Sequence, residues 1–118
     1  MLVALYNGTK TLENVQQTKH GLLQLLTEDL APVVRVCGQM SGHRINKYYR
    51  LVKRYAMGEY AGLPFFKAAA GYMELSFTTL TPIDGDHVLA VARVVHSRNF
   101  HDTPILTTDY LKEHKFTR

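Results

Sequence analysis

The stretch that most constrains this chain is Ile83-Asp-Gly-Asp-His-Val-Leu-Ala-Val-Ala-Arg-Val-Val-His-Ser97. It opens on a turn pair, Asp84-Gly85. It continues as an apolar run from Val88 to Val95 that only Arg93 interrupts. Ahead of it, between Ala69 and Thr81, Met73, Leu75 and Phe77 alternate with Tyr72, Glu74, Ser76 and Thr78. Two strand-like runs about a glycine-containing turn predict an antiparallel hairpin. The second arm is apolar on both faces, with Val88, Ala90, Ala92 and Val94 on one and Leu89, Val91 and Val95 on the other. Such a strand is expected to be covered on both sides, as in a barrel or a sandwiched sheet. His87 stands at its mouth, where an imidazole could contact a substrate or hydrogen-bond to it.

The remaining elements follow from turn and cap signals. Leu2 to Tyr6 is a short strand ended by Asn7-Gly8. A chain that begins inside an apolar strand suggests a preceding segment or a pairing second subunit. A helix follows with Thr11 as cap, Glu13 in its first turn, Leu12 and Val15 inward, and a close at Lys19-His20-Gly21. Leu22 to Leu26 is the next strand. A second helix from Thr27-Glu28-Asp29 places Leu30, Val33, Val34 and Cys37 on one face; Pro32 must lie in its first turn, which allows the start to slip to Leu30 or Ala31, and Gly38 ends it. Asn46 caps a third helix, with Tyr48, Leu51, Val52 and Tyr55 on one face and Lys47, Arg50, Lys53 and Arg54 on the rest. Gly58 to Pro64 is expected as a linker, Asn99 to Thr103 as a polar loop, Pro104 to Thr107 as a short edge strand and Asp109 to Arg118 as a polar tail. The order β-α-β-α-α-β-β-β is that of an α+β fold whose sheet curls into a small barrel, with helices over one end.

At 118 residues the chain suits one domain, spanning 1–118, and its 46% hydrophobic and 20% charged residues are those of an ordinary globular protein. No apolar run approaches the ~20 residues of a membrane helix, and no secretory leader is expected from Met1 to Tyr6. A single cysteine, Cys37, rules out an internal disulfide and fits a reducing compartment, so a cytoplasmic protein is expected. That cysteine reads as a core residue rather than a nucleophile. The formal charge of +4 suits an anionic partner without naming one.

Four clusters could carry chemistry. Thr9-Lys10-Thr11 brings two hydroxyls, an ammonium and the free N–H groups of a helix start together, an arrangement that accepts phosphate; the plainer alternative is that Thr11 caps the helix and the other two are turn residues. Ser41-Gly42-His43-Arg44 with Asn46 and Lys47 suits a phosphate or a planar polar ring, or is a solvated connection. Asp84-Gly85-Asp86-His87 is a hairpin turn or a pocket mouth. Lys47 to Tyr55 interleaves basic and aromatic residues as nucleic-acid binders do, or is an amphipathic helix with a basic face. The six histidines match no common metal spacing, and no phosphate P-loop, dinucleotide Gly fingerprint or nucleophile elbow is present.

Several of these segments in register resemble one family. Val3-Ala-Leu-Tyr-Asn-Gly-Thr-Lys-Thr-Leu-Glu-Asn-Val15 is similar to the strand, phosphate turn and helix of the flavin reductase-like, FMN-binding split-barrel domains. Ser41-Gly-His-Arg-Ile-Asn-Lys-Tyr48, Ala61-Gly-Leu-Pro64, Asp84-Gly-Asp-His-Val-Leu-Ala-Val-Ala-Arg-Val94 and Pro104-Ile-Leu106 resemble further family segments in the same order. The resemblance implies a homodimeric split β-barrel with FMN near the dimer interface and hydride transfer from NAD(P)H, as a flavin reductase or a flavoredoxin-like carrier. It implies FMN contacts at Asn7, Thr9, Lys10, Thr11, Ser41, Gly42, His43 and Lys47, and a nicotinamide-nucleotide contact at His87. The bound flavin would do the chemistry, and no side chain need be an acid, base or nucleophile. Family members carry two further N-terminal strands, so the domain is expected to be abbreviated at that end, with an open edge that favours a second chain. A flavin-binding protein without turnover and a basic nucleic-acid-binding module are the alternatives.

Overall fold

The computed structural model describes residues 1–39 and 47–116. Its centre is the expected hairpin. Strand β5 spans Gly71–Pro82 and β6 spans His87–Asn99, paired antiparallel. β1 (Leu2–Tyr6) joins the far side of β6, and β2 (His20–Leu25) the far side of β5, giving an antiparallel sheet in the order β1-β6-β5-β2. Helix α1 (Lys10–Thr18) packs on one face of it. Val15 of α1 meets Leu75 and Phe77 of β5 and Ala90 and Ala92 of β6, and all five are nearly sealed from solvent. Burying the Leu and Phe side chains of such a set stabilises by about 1.5–3 kcal/mol each.

A second core lies under the other helices. A 3₁₀ turn at Glu28–Leu30 leads into α2 (Val33–Gln39), and α3 (Lys47–Val52) packs beside it. Leu30, Val33, Leu51, Phe66 and Ala69 form this cluster. Pro32 accounts for the break: the helix starts after it, at Val33, later than Thr27 and later than the slipped start at Leu30 or Ala31. The face assignment is also corrected, for Cys37 is exposed and not in the core, although Val33, one turn earlier in the same short helix, is buried. Val52 is likewise 43% exposed, and Tyr55, beyond the end of α3, packs edge-on against Phe66.

The stretch expected as a linker is a hairpin, β3 (Met57–Tyr60) with β4 (Leu63–Phe66). Its two turn residues, Ala61 and Gly62, have φ of 51° and 81°, the left-handed pair that matches the twist of a tight hairpin. The polar tail also differs from expectation, since Thr107 caps a short helix α4 (Thr108–Glu113) by accepting from the Tyr110 N–H. The edge strand at Pro104–Thr107 reduces to a single bridge, Thr27 to Ile105.

The two-sided covering of β6 is only half realised within this chain. Val88, Ala90 and Ala92 are buried, while Val91 and Val95 are 44% and 49% exposed, as is Leu2 opposite Val91 at 65%. Register shifts in the β5–β6 ladder, one between Glu74 and Leu75, break strict alternation, and Val94 lies 42% exposed instead of continuing the buried row.

Candidate functional site

The local chemistry of Tyr6 to Leu12 fixes one end of the sheet. β1 stops at Tyr6, and Gly8, at φ 76°, turns the chain into α1. The cap is Thr9, not Thr11. Its hydroxyl donates to the Tyr6 carbonyl at 2.9 Å and accepts from the Leu12 N–H at 3.2 Å. Both hydrogen-bonding directions of that hydroxyl are therefore in use. The N–H groups of Lys10 and Thr11 find no protein acceptor among the described residues, as first-turn donors do not. The Thr11 side chain is exposed, and the Lys10 ammonium lies 3.2 Å from a Glu13 carboxylate oxygen. An exposed pair of this kind is worth about 0.3–0.5 kcal/mol, so a phosphate could compete for the ammonium. A shallow cleft of about 240 Å³ lies alongside, lined by Gly8, Thr9, Leu12, Glu13 and Gln16.

This corner is tied to the β5–β6 turn, far away in sequence. The Asn7 N–H donates to the Asp86 carbonyl at 2.8 Å, and the Asn7 side-chain amide reaches the Gly85 carbonyl at 3.5 Å. Tyr6 pairs with His87 across the β1–β6 ladder. The two rings lie 4.0 Å apart between centroids, and His87 Nδ1 sits 2.7 Å from an Asp86 carboxylate oxygen. Asn7, Thr9, Lys10, Thr11 and His87 thus share one end of the sheet. Two backbone donors at a helix start, an adjacent hydroxyl and an ammonium are groups that suit a phosphate.

Ser41, Gly42 and His43 lie outside the described residues. Lys47 opens α3, and its side chain lies outside the described residues. Near α3, a cavity of about 310 Å³ is lined by Pro32, Val36, Leu51 and Tyr55 with Arg50, Lys53 and Arg54. Lys53 sits 4.2 Å over the Tyr49 ring. Among the described residues no cluster of His, Cys, Asp or Glu could hold a metal ion, and no helix is long and apolar enough to cross a membrane.

Two groups of residues escaped the sequence reading. Tyr6 carries no signal of its own, and only the β1–β6 register sets it on His87. Further along the sheet, Glu74 accepts from the Tyr60 hydroxyl at 3.1 Å and meets His20 Nε2 at 2.8 Å. Tyr60 also stacks on His96 and lies beside Tyr72. Desolvation of the phenol, then its hydrogen bond to Glu74 and that carboxylate's charge, raise the Tyr60 pKa above the usual 10.0. The network clamps the β3–β4 hairpin onto the main sheet.

The fold is that of the FMN-binding split barrels. The chain superposes on an FMN-binding protein from Thermus thermophilus with a TM-score of 0.69 and 20% identity, over 83% of this chain and 53% of that one. For flavoredoxin from Methanosarcina acetivorans the TM-score is 0.71 with 12% identity, over 83% and 51%. For the styrene monooxygenase flavin reductase from Pseudomonas putida it is 0.63 with 22% identity, over 86% and 60%. The chain therefore spans little more than half the length of these structures. Comparison with curated proteins gives no match. The model of the flavin reductase like domain matches residues 1–110, and the chain belongs to that family.

Proposed function

We propose that this chain is a flavin-dependent oxidoreductase module that binds FMN and takes a hydride from NAD(P)H, as a flavin reductase or a flavoredoxin-like carrier. The observation that carries the reading is the convergence of the α1 start with His87, which joins a phosphate-type corner to a ring-bearing one within the family's fold. The named relatives support it, being an FMN-binding protein, a flavoredoxin and a flavin reductase.

In this reading the Lys10 and Thr11 N–H groups, the Thr11 hydroxyl and the Lys10 ammonium hold the FMN phosphate. Asn7 fixes the turn beside it, and the Thr9 hydroxyl acts through its cap, which aims those donors outward. Ser41, Gly42, His43 and Lys47 face the flavin ring, and His87 meets the nicotinamide nucleotide. When bound, FMN supplies the hydride-accepting ring. The protein's part is to orient, to exclude water and to hold the second ligand in reach. The exposed apolar row of Leu2, Val91 and Val95 is the surface through which two copies form a homodimer. The reading places the protein in the cytoplasm.

The test is a titration of the purified chain with FMN, followed by absorbance and by fluorescence quenching, and then anaerobic addition of NADH and NADPH. Binding with nucleotide-driven bleaching of the flavin bands supports the full reading. Binding without bleaching leaves a flavin-binding protein that does not turn over. A chain that neither carries nor takes up FMN refutes it.

A further inference from the structure

Tyr6, Asp86 and His87 form a unit whose chemistry is more specific than a lone imidazole at a pocket mouth. His87 Nδ1 is 2.7 Å from an Asp86 carboxylate oxygen. A carboxylate only accepts, so the proton between them belongs to Nδ1. A neutral imidazole has one N–H, and with that N–H on Nδ1 the lone pair falls on Nε2. Among the described residues Nε2 has no hydrogen-bond partner, and the side chain keeps 31% of its surface open. Asp86 alone would hold the ring loosely, because its carboxylate is 76% exposed. The ring is held a second way, by the Tyr6 ring at 4.0 Å and 39°. Tyr6 is itself fixed by its ladder pairing with His87 and by the Asn7 N–H to Asp86 carbonyl bond one residue on.

We infer that Asp86 and Tyr6 are positioning residues that fix His87 in the Nδ1–H form, so that Nε2 offers a lone pair to a ligand hydrogen-bond donor. The ligand group this selects is an N–H donor such as a primary carboxamide, in preference to a carbonyl or an anion. This deepens the reductase reading and rests on it for the identity of the ligand, since a nicotinamide bears such a group. The tautomer itself does not depend on that reading.

The experiment has two arms. In the first, long-range ¹H–¹⁵N correlation spectra of the ligand-free protein at mildly alkaline pH report which His87 nitrogen is protonated. The expected pattern is a pyrrole-like Nδ1 and a pyridine-like Nε2. It is lost in Asp86→Ala, where the ring reverts to the mixture of a free imidazole, and retained in Asp86→Asn, whose amide oxygen still accepts. Tyr6→Leu removes the upfield ring-current shift of the His87 ring protons. A wild-type spectrum with the proton on Nε2, or an Asp86→Ala spectrum unchanged from wild type, overturns the positioning role.

In the second arm, binding of NADH is compared with that of its reduced 3-acetylpyridine analogue, which has a methyl ketone where NADH has the amide. Asp86→Ala weakens NADH about tenfold, the loss of roughly one good hydrogen bond. It leaves the analogue unchanged, and Asp86→Asn restores most of the difference. Equal effects on both nucleotides overturn the choice of ligand group. If neither nucleotide binds while the first arm gives the expected tautomer, the nicotinamide assignment fails and the positioning of His87 stands.

Discussion

Thr9 offers the clearest test of how the candidate phosphate corner is built. Its hydroxyl is spent on the Tyr6 carbonyl and the Leu12 N–H, so it is a cap and not a free ligand group. Replacing a capping Thr by Ala costs about 1 kcal/mol. For a domain of this length the entropy of unfolding near its midpoint is about 0.25 kcal/mol/K, which converts that loss to a fall in Tm of about 4 °C. Thr9→Ser keeps both hydrogen bonds and should fall by no more than about 1 °C, since Ser caps at least as well as Thr. The assay is thermal unfolding by circular dichroism, paired with urea titration so that a change in midpoint can be separated from a change in slope. FMN affinity, measured on the same samples below the transition, should fall in Thr9→Ala and stay close to wild type in Thr9→Ser. An Ala variant with an unchanged Tm would show that the cap contributes nothing. A Ser variant as damaged as the Ala variant would show that the methyl group, not the hydroxyl, matters.

Three further outcomes follow from the packing. Gly71→Ala should destabilise by about 1–3 kcal/mol in urea titration, because a Cβ there runs into the Arg98 carbonyl across the β5–β6 ladder. Tyr60, whose folded-state pKa is raised, contributes stability that is complete below the usual phenol value of 10.0 and is lost as pH rises through the raised one. Tyr60→Phe should abolish that alkaline dependence in Tm-versus-pH curves, and a wild-type slope in the variant would contradict the Glu74 hydrogen bond. Val91→Lys puts a charge in the exposed apolar row of the sheet and should leave a folded monomer by light scattering. An intact dimer in that variant would move the interface elsewhere.

The hairpin was legible because period-two alternation and the Asp84-Gly85 turn are local signals, and the β5–β6 ladder follows them. The inward Leu12 and Val15 of α1 were legible for the same reason at period 3.6. Errors fell where local rules competed. Thr9 and Thr11 are both able caps, and only the backbone geometry, with Thr9 at φ −91° and ψ 154°, decides between them. Gly58 to Pro64 looked like a linker because Gly and Pro break strands, yet Ala61-Gly62 uses the same permissiveness to make a tight turn. Cys37 fitted an apolar helix face by spacing, but α2 runs only from Val33 to Gln39 and buries Val33 while leaving Cys37 exposed. At the candidate site, the Thr9–Thr11 cluster and His87 could each be singled out from sequence as candidates. Their adjacency could not, because it depends on the β1–β6 register, and so the contacts of Tyr6 on His87 and of Asn7 on Asp86 were invisible.

That register has a kinetic meaning. β1 enters the sheet at its edge, and its first contact joins the Met1 nitrogen to the Ala92 carbonyl, 91 residues along the chain. The β5–β6 hairpin is local and closes a short loop, whereas β1 must close nearly the whole chain before its pairing contributes anything. β1 is therefore expected to arrive late in folding and, as a short edge strand of the described sheet, to be among the first segments to detach. The candidate site exists only while β1 is docked, since Tyr6, Asn7 and the start of α1 come with it. A ligand held at the start of α1 binds the docked form alone, so its binding free energy appears directly as resistance of β1 to opening. Amide exchange along Leu2–Tyr6 is then a gauge of occupancy, sensitive even to a ligand with no colour.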